Sequence, residues 1–164
     1  MAKKVFGVGI LALVLVFGFS VIGCDSGSDD NGGIPSGLVG TWTFTETEDG
    51  ETFTQTVVLR SNNTFETQMN GTDFMRGTFS TNGNNMTITT TEIHGSIFDD
   101  HPDLNRWFNR TQMRAAMIEM GWPAAEVDEE LAEMFASQTV RFTLSNNTLT
   151  IHDPEFGDQV FTRG

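Results

Sequence analysis

Residues 40–45 read Gly40-Thr41-Trp42-Thr43-Phe44-Thr45, so aromatic side chains alternate with threonines. Successive side chains of a β-strand point to opposite faces. This spacing therefore predicts a strand with one apolar face toward a core and one polar face toward water. Threonine and phenylalanine both favour such half-buried, pleated surfaces. We interpret the stretch as the first strand of an antiparallel sheet.

The same alternation continues to residue 93 and is interrupted by short clusters rich in Asn and Gly. Asn and Gly accept the positive φ that tight hairpins require, so each cluster predicts a turn between neighbouring strands. The run therefore predicts a meander of five antiparallel strands. These strands span about 40–47, 51–60, 63–70, 73–80 and 85–93.

The end of the chain resumes the pattern. Val140, Phe142 and Leu144 alternate with polar residues, and two further strands follow, around Ile151 and at 159–163. The total is eight short strands. An antiparallel set of this number commonly closes into a barrel, because closure removes the exposed strand edges. The sequence thus predicts a mainly β fold, an eight-stranded antiparallel up-and-down barrel.

The two ends of this β pattern resemble the lipocalin and wider calycin families. Those families begin with Gly-x-Trp, present here as Gly40-Thr41-Trp42, and their Trp plugs the closed end of the barrel. They also place an Arg or Lys near the end of the last strand to pack over that Trp, where this chain has Arg163. The resemblance covers about 38–93 and 138–164. It implies a lipocalin-like barrel closed by Gly40, Trp42 and Arg163, which carries a small apolar ligand.

Apolar side chains of the predicted strands and of the insert between them are the candidates for lining a ligand cavity. They are Phe53, Phe65, Met69, Met86, Trp107 and Phe108. An eight-stranded barrel can hold one small ligand, or side chains can fill its interior. Two functions therefore stay open. A module that binds a small hydrophobic ligand predicts a cavity lined by Phe and Met. A non-catalytic structural or protein-interaction module predicts a filled barrel and an apolar patch near Trp107 or Trp122.

Residues 97–137 interrupt the β pattern between the fifth and sixth strands and predict an αα-hairpin. The segment 99–102 has the acidic residue and proline of a helix start, and Gly121 has the features of a helix end. Pro123 then begins the second helix. The apolar face of the first helix would comprise Leu104, Trp107, Phe108, Thr111, Ala115 and Ile118.

Two periodic sets on this insert allow a functional interpretation. Three arginines spaced by four residues could meet an anionic ligand, although pairing with the acidic second helix or plain solvation is their more ordinary role. Three methionines at helical spacing could bind copper or surround an apolar ligand, although core packing is commoner. The residues are Arg106, Arg110 and Arg114, and Met113, Met117 and Met120.

The chain starts with Lys3 and Lys4, followed by an almost unbroken apolar run at 5–19. This order predicts a secretory signal, because the run is marginal for a membrane span of roughly 20 residues. The stretch Val21-Ile22-Gly23-Cys24 resembles the lipobox of bacterial lipoproteins, in which cleavage precedes an invariant cysteine. The resemblance implies a signal peptide at 1–23 and acyl chains such as palmitate on Cys24.

Cys24 is the only cysteine of the chain, so it has no intramolecular disulfide partner. Lipidation gives it a chemical role, and each buried methylene of an acyl chain contributes about 0.8 kcal/mol to anchoring. The alternative is an uncleaved N-terminal helix with a free thiol. Residues 24–37 then predict a flexible, Gly-rich tether before a domain at 38–164. We expect a location in the cell envelope, with the outer membrane favoured over the inner.

The charge of the chain excludes some partners. The predicted signal holds both lysines and no acidic residue, so the remainder has seven arginines against 22 acidic residues, a net charge of −15. Nucleic acid needs a basic footprint, and anionic lipid attracts basic segments, so neither is an expected partner. The expected partners are the membrane, through the anchor, and a small apolar ligand. A protein partner stays open.

The sequence shows no catalytic signature. It lacks a Gly-x-Ser-x-Gly elbow, a phosphate loop and a His-Glu-x-x-His helix, and no spacing singles out two acids for proton transfer. His94 and His101 flank two aspartates, but their spacing matches no common metal-ligand pattern. We therefore expect neither an enzyme nor a bound metal or cofactor.

Overall fold

The computed structural model describes residues 33–48, 50–98, 101–153 and 157–164. The predicted signal, Cys24 and most of the predicted tether lie outside the described residues. The end of that tether, residues 33–37, lies against the barrel. Ile34 packs on the core, and the Leu38 N–H donates to the Pro35 carbonyl at 3.0 Å.

The described residues form nine strands, eight of which make the barrel. The strands are β1 (Gly40–Glu48), β2 (Glu51–Leu59), β3 (Thr64–Met69), β4 (Thr72–Asn82), β5 (Asn85–His94), β6 (Trp107–Asn109), β7 (Ser137–Ser145), β8 (Thr148–Asp153) and β9 (Gly157–Arg163). All pairings are antiparallel, in the circular order β1-β2-β3-β4-β5-β7-β8-β9, and β6 adds to the free end of β5. The predicted mainly β, eight-stranded antiparallel barrel is confirmed.

The predicted turn clusters connect consecutive strands. Asn70 and Gly71 have φ angles of 51° and 78°, the positive values of a tight hairpin turn. Asn63 and Asn146 are also left-handed, at 63° and 51°. Asparagine tolerates this region better than most residues, so these turns end each strand at a definite position and set its register.

The insert between β5 and β7 contains two 3₁₀ turns (Gly95–Ile97 and Pro102–Leu104), β6, and the helices α1 (Arg110–Glu119) and α2 (Ala124–Met134). This is the predicted αα-hairpin between the fifth and sixth barrel strands. Gly121, at φ 91°, follows the end of α1, and Pro123 is the N-cap of α2. None of the described helices is long and apolar enough to cross a membrane. The helical residues buried against the core are Met113, Ala116, Met117, Val127, Leu131 and Met134.

The first helix does not run on from the predicted start at 99–102, of which residues 99 and 100 lie outside the described ranges. Residues 107–109 instead form β6, which pairs with β5, and α1 begins only at Arg110. The Asn109 side chain accepts from the Gln112 N–H, and the Gln112 side chain accepts from the Asn109 N–H. This reciprocal capping box provides partners for two N–H groups at the helix start and positions it after the strand.

The barrel closes where its first and last strands meet. The β1–β9 ladder is confined to two residue pairs, the first of which is Trp42 opposite Arg163. The Arg163 guanidinium lies 4.5 Å from the centroid of the Trp42 ring and donates to the carbonyl oxygens of Val39 and Gly37. At Gly40 a Cβ would come within 2.8 Å of Arg163 Nη1, so glycine leaves room for the guanidinium.

Replacing Trp42 by alanine should lower the free energy of unfolding by about 3–5 kcal/mol, the range for large aromatic residues removed from cores. The Trp42 side chain is 0 % exposed, and its indole N–H donates to the Leu38 carbonyl at 2.8 Å. The substitution therefore leaves both a cavity and an unpaired acceptor. Urea titration measures the change. The control Trp107→Ala, at a half-buried site on the outer wall, should lose clearly less, and an equal loss would contradict the closing role of Trp42.

Candidate functional site in the barrel interior

The inward faces of the barrel strands are mostly apolar, with some polar exceptions. Alternate residues of each strand point inward, and most of these inward residues belong to one buried hydrophobic cluster. Among the described residues, five polar side chains are buried at inward positions. They are Gln55, Thr67, Thr90, Asp153 and Gln159. Buried polar groups normally have hydrogen-bond partners, so each of these side chains calls for an explanation.

Two of the buried hydroxyls have partners on Met75. Thr67 Oγ1 lies 3.3 Å from both the Met75 carbonyl oxygen and the Met75 backbone nitrogen, and Thr90 Oγ1 donates to Met75 Sδ at 3.7 Å. Gln159 differs. It is 8 % exposed, and its side-chain oxygen Oε1 has no hydrogen-bond partner. Leaving a buried acceptor unpaired costs about 1–3 kcal/mol.

Gln159 lies beside a pair of aromatic rings. It faces Ile151 across the β8–β9 ladder and is two residues from Phe161, on the same face of β9. The rings of Phe161 and Phe44 are 5.5 Å apart, and Gln55 is the cross-strand partner of Phe44. Two glutamines therefore flank the Phe44–Phe161 pair, at the level where the described β1–β9 ladder has already ended.

A pocket lies between the end of α2 and the wall formed by β4, β5 and β7. It is lined by Met75, Ile88, Thr90, Glu133, Met134, Ala136 and Gln138. The cavity has a volume of about 20 Å³, enough for one water. A larger ligand therefore needs Met75 or Met134 to move, and methionine side chains adapt readily.

The six residues predicted to line a ligand cavity do not line this pocket. Three are packed in the buried core, two are half-buried on β2 and β3, and one lies on the outer side of the barrel. The core residues are Phe65, Met86 and Phe108. The half-buried residues are Phe53 and Met69, and the outer residue is Trp107. Sequence reasoning missed the residues that do line it. A methionine or an amide side chain at an inward strand position is the sequence signal that could have identified some of these pocket residues.

Trp107 belongs to a cluster on the outer wall. The Arg76 guanidinium lies 4.4 Å from the centroid of the Trp107 ring, and Arg76 Nε donates to Glu92 Oε2 at 2.7 Å. The His94 ring meets Trp107 edge-on, with centroids 4.9 Å apart. Side chains of β4 and β5 therefore partly cover the indole, so Trp107 does not form a free apolar patch.

Three side chains on neighbouring strands form a hydroxyl–imidazole–carboxylate chain on the outer surface. Thr143 Oγ1 lies 2.7 Å from His152 Nε2, and His152 Nδ1 lies 2.8 Å from Asp158 Oδ1. The same order of groups activates nucleophiles in hydrolases. A hydrolase also needs donors for an oxyanion, whereas Thr143 is exposed on a wall in which β8 pairs with both β7 and β9. We interpret the chain as a cross-strand tie, and the expectation of a non-catalytic protein stays a prediction.

Two of the three arginines of the insert have partners on the protein. Arg114 Nε and Nη2 donate to the Asp128 carboxylate at 2.6 and 3.1 Å. This hydrogen bonding lowers the pKa of Asp128 and raises that of Arg114. The Arg106 guanidinium lies 4.6 Å from the centroid of the Phe108 ring. These contacts support the ordinary role of the arginines over the binding of an anion.

The described ranges contain no group of three or more His, Cys, Asp or Glu that could hold a metal ion. The two aspartates between His94 and His101 lie outside those ranges.

An acidic stretch of α2 makes stability depend on pH. Partial burial raises the pKa of the Glu130 carboxyl, and repulsion from Glu133 and Glu129 adds to the effect. The folded protein therefore holds this proton more tightly than the unfolded chain. The protonated Glu130 carboxyl contributes to stability below the ordinary glutamate pKa. This contribution is lost as the pH rises through the raised pKa of the folded protein.

Glu130→Gln should therefore raise the melting temperature at pH 7, because the amide avoids placing a partly buried charge beside two like charges. The gain should shrink as the pH falls below about 4, where glutamates are protonated. Thermal melts across pH measure both effects. Glu46→Gln, at an exposed position of β1, is the control and should change little. An unchanged melting temperature at pH 7, or a gain that persists at low pH, would show the explanation to be wrong.

Comparison with protein-family models, with curated proteins and with solved structures finds no match for this chain. The closed barrel is shown by the strand pairings themselves. The likeness to lipocalins beyond that architecture is carried by Gly40, Trp42 and Arg163.

Proposed function

We propose that this chain is a lipid-anchored protein of the bacterial cell envelope, whose lipocalin-like barrel binds one small, mostly apolar ligand. The observation that carries the proposal is the unpaired Gln159 oxygen inside an otherwise apolar barrel. An interior that serves only stability gains nothing from an unpaired acceptor, because an apolar side chain of similar shape avoids its desolvation cost. A ligand with a matching group gives the oxygen a partner.

The position of the segment before β1 supports an anchor at the closed end of the barrel, which leaves the opposite end accessible to a ligand. Gly37 and Val39 contact Arg163, and the Leu38 carbonyl accepts from Trp42, so the segment before β1 lies at the closed end. The insert lies at the opposite end, where β5 ends and β7 begins. A lipid on Cys24 would therefore attach the barrel through its closed end, with the pocket and insert directed away from the membrane.

A second candidate function is a non-catalytic structural or protein-interaction module. The observation that favours it is the packing of the interior, since Phe65, Met86 and Phe108 are at most 3 % exposed and the pocket has room for about one water. In that case the barrel is a filled scaffold, and its outer surface makes the functional contacts.

Cys24→Ser should abolish acylation, because a serine hydroxyl does not replace the thiol in the lipobox. Cells grown with an alkyne-tagged fatty acid should label the wild-type chain and not the variant, and the variant should keep its signal. Ser28→Ala is the matched control and should be labelled like the wild type. A wild-type chain that carries no label, or that keeps its signal with a free thiol, would contradict the anchor.

Native mass spectrometry tests the ligand itself. Residues 25–164, produced without the signal and extracted gently from cells, should carry a small apolar mass that organic extraction removes. The extracted protein should then take up hydrophobic dyes. A clean apo mass with no dye uptake would contradict ligand binding and favour the filled barrel.

A further inference from the structure

The orphaned oxygen of Gln159 narrows the class of ligand, an inference that rests on the proposed function. The side chain lies on the inward face of β9, is 8 % exposed, and its Oε1 has no partner. An amide oxygen accepts hydrogen bonds and cannot donate, so only an O–H or N–H group completes it. We propose that the barrel binds an apolar molecule that carries a hydroxyl or N–H donor and no negative charge, with the donor on Gln159 Oε1.

The surroundings of Gln159 suit the apolar part of such a molecule. Ile151 faces Gln159 across the ladder, and the rings of Phe161 and Phe44 lie nearby, tilted by 42° with centroids 5.5 Å apart. The described β1–β9 ladder covers only the two residue pairs at the closed end, so main-chain hydrogen bonds do not seal the wall at the level of Gln159. A short alkyl chain that lies along the aromatic pair brings its head group to Oε1.

The charges near the interior disfavour an anionic head group. Arg163, on the inward face of β9, stacks on Trp42 and donates to two backbone carbonyls at the closed end, so it is already engaged. Glu133 lines the pocket at the open end, and the chain after the predicted signal has a net charge of −15. A carboxylate head would meet the Gln159 oxygen, which repels it, instead of a cation. Fatty acid anions therefore fall outside the class.

Three probes that each contain an eight-carbon chain separate these possibilities. 1-Octanol donates a hydrogen bond, whereas octyl methyl ether and octanoate only accept, and octanoate adds a negative charge. Calorimetric titration uses the full-length lipidated protein in lipid nanodiscs, with empty nanodiscs as the blank. We expect 1-octanol to bind about tenfold more tightly than either acceptor, the factor that one hydrogen bond supplies.

Gln159→Met tests the residue, because methionine has nearly the same shape and no amide. The variant should lose about tenfold in affinity for 1-octanol, keep its affinity for the ether, and melt at the same or a higher temperature when empty. Gln138→Met is the matched control. It removes a half-buried amide that lines the pocket on β7, and it should keep the preference for 1-octanol.

Equal binding of 1-octanol and the ether by the wild type would overturn this inference and leave the proposed function standing. Binding of none of the three probes would overturn both. A preference for the ether or for octanoate would mean that the amide nitrogen faces the ligand, and it would overturn the donor assignment. A lower melting temperature of Gln159→Met would show that Oε1 already has a protein partner, with the same consequence.

Discussion

The contact between Arg163 and Trp42 is the constraint on which the rest of the structure depends. A sheet of eight strands has two exposed edges until its first and last strands meet, and here the main-chain ladder contributes only two residue pairs to that meeting. Arg163 supplements the ladder by stacking on the indole and by donating to carbonyls of the segment that leads into β1. The guanidinium gains both a π face and charge-assisted hydrogen bonds, which offset the cost of removing it from water. The last strand thereby holds the segment that leads into β1 in place.

Because the closure is concentrated at one end, the two ends of the barrel differ chemically. The closed end has Trp42 wholly buried, with its N–H satisfied by a backbone carbonyl. The other end carries the helical insert and the small pocket. The buried hydroxyls of Thr67 and Thr90 also have partners, on Met75, whereas the oxygen of Gln159 has none. The proposed binding function would rest on the closed end as its rigid scaffold.

The strands could be predicted because their signals are local. The alternation at Trp42 and Phe44 and the turn at Asn70 and Gly71 need no knowledge of distant residues. The start of α1 could not be predicted in the same way. β7 pairs with β5 only as far as Thr89, so the edge beyond it is free to take up residues 107–109, which otherwise fall at helical spacing.

The unpaired oxygen of Gln159 could not be predicted for a related reason. Gln159 is a polar residue in the short strand β9. Its burial depends on neighbours in other strands, which the pattern along β9 does not identify. Likewise, the tie from Thr143 through His152 to Asp158 exists only across three paired strands. A sequence pattern identifies which face of a strand is inward. Which polar atom on that face is left without a partner depends on the assembled barrel.

A well-packed interior argues against a ligand only where the packing is rigid. The closed end is tightly packed in this sense, since Trp42 is wholly buried beneath the Arg163 guanidinium. The wall of the pocket is different, because Met75 and Met134 are unbranched and have several accessible rotamers. The side chain of Met75 is held by a weak hydrogen bond from Thr90 to its sulfur, at 3.7 Å. Space at the insert end can therefore be opened by rotating two side chains while the strand register and the closure stay intact. The small volume of the pocket therefore does not count against the proposed ligand, and the unpaired oxygen of Gln159 is the observation on which that proposal rests.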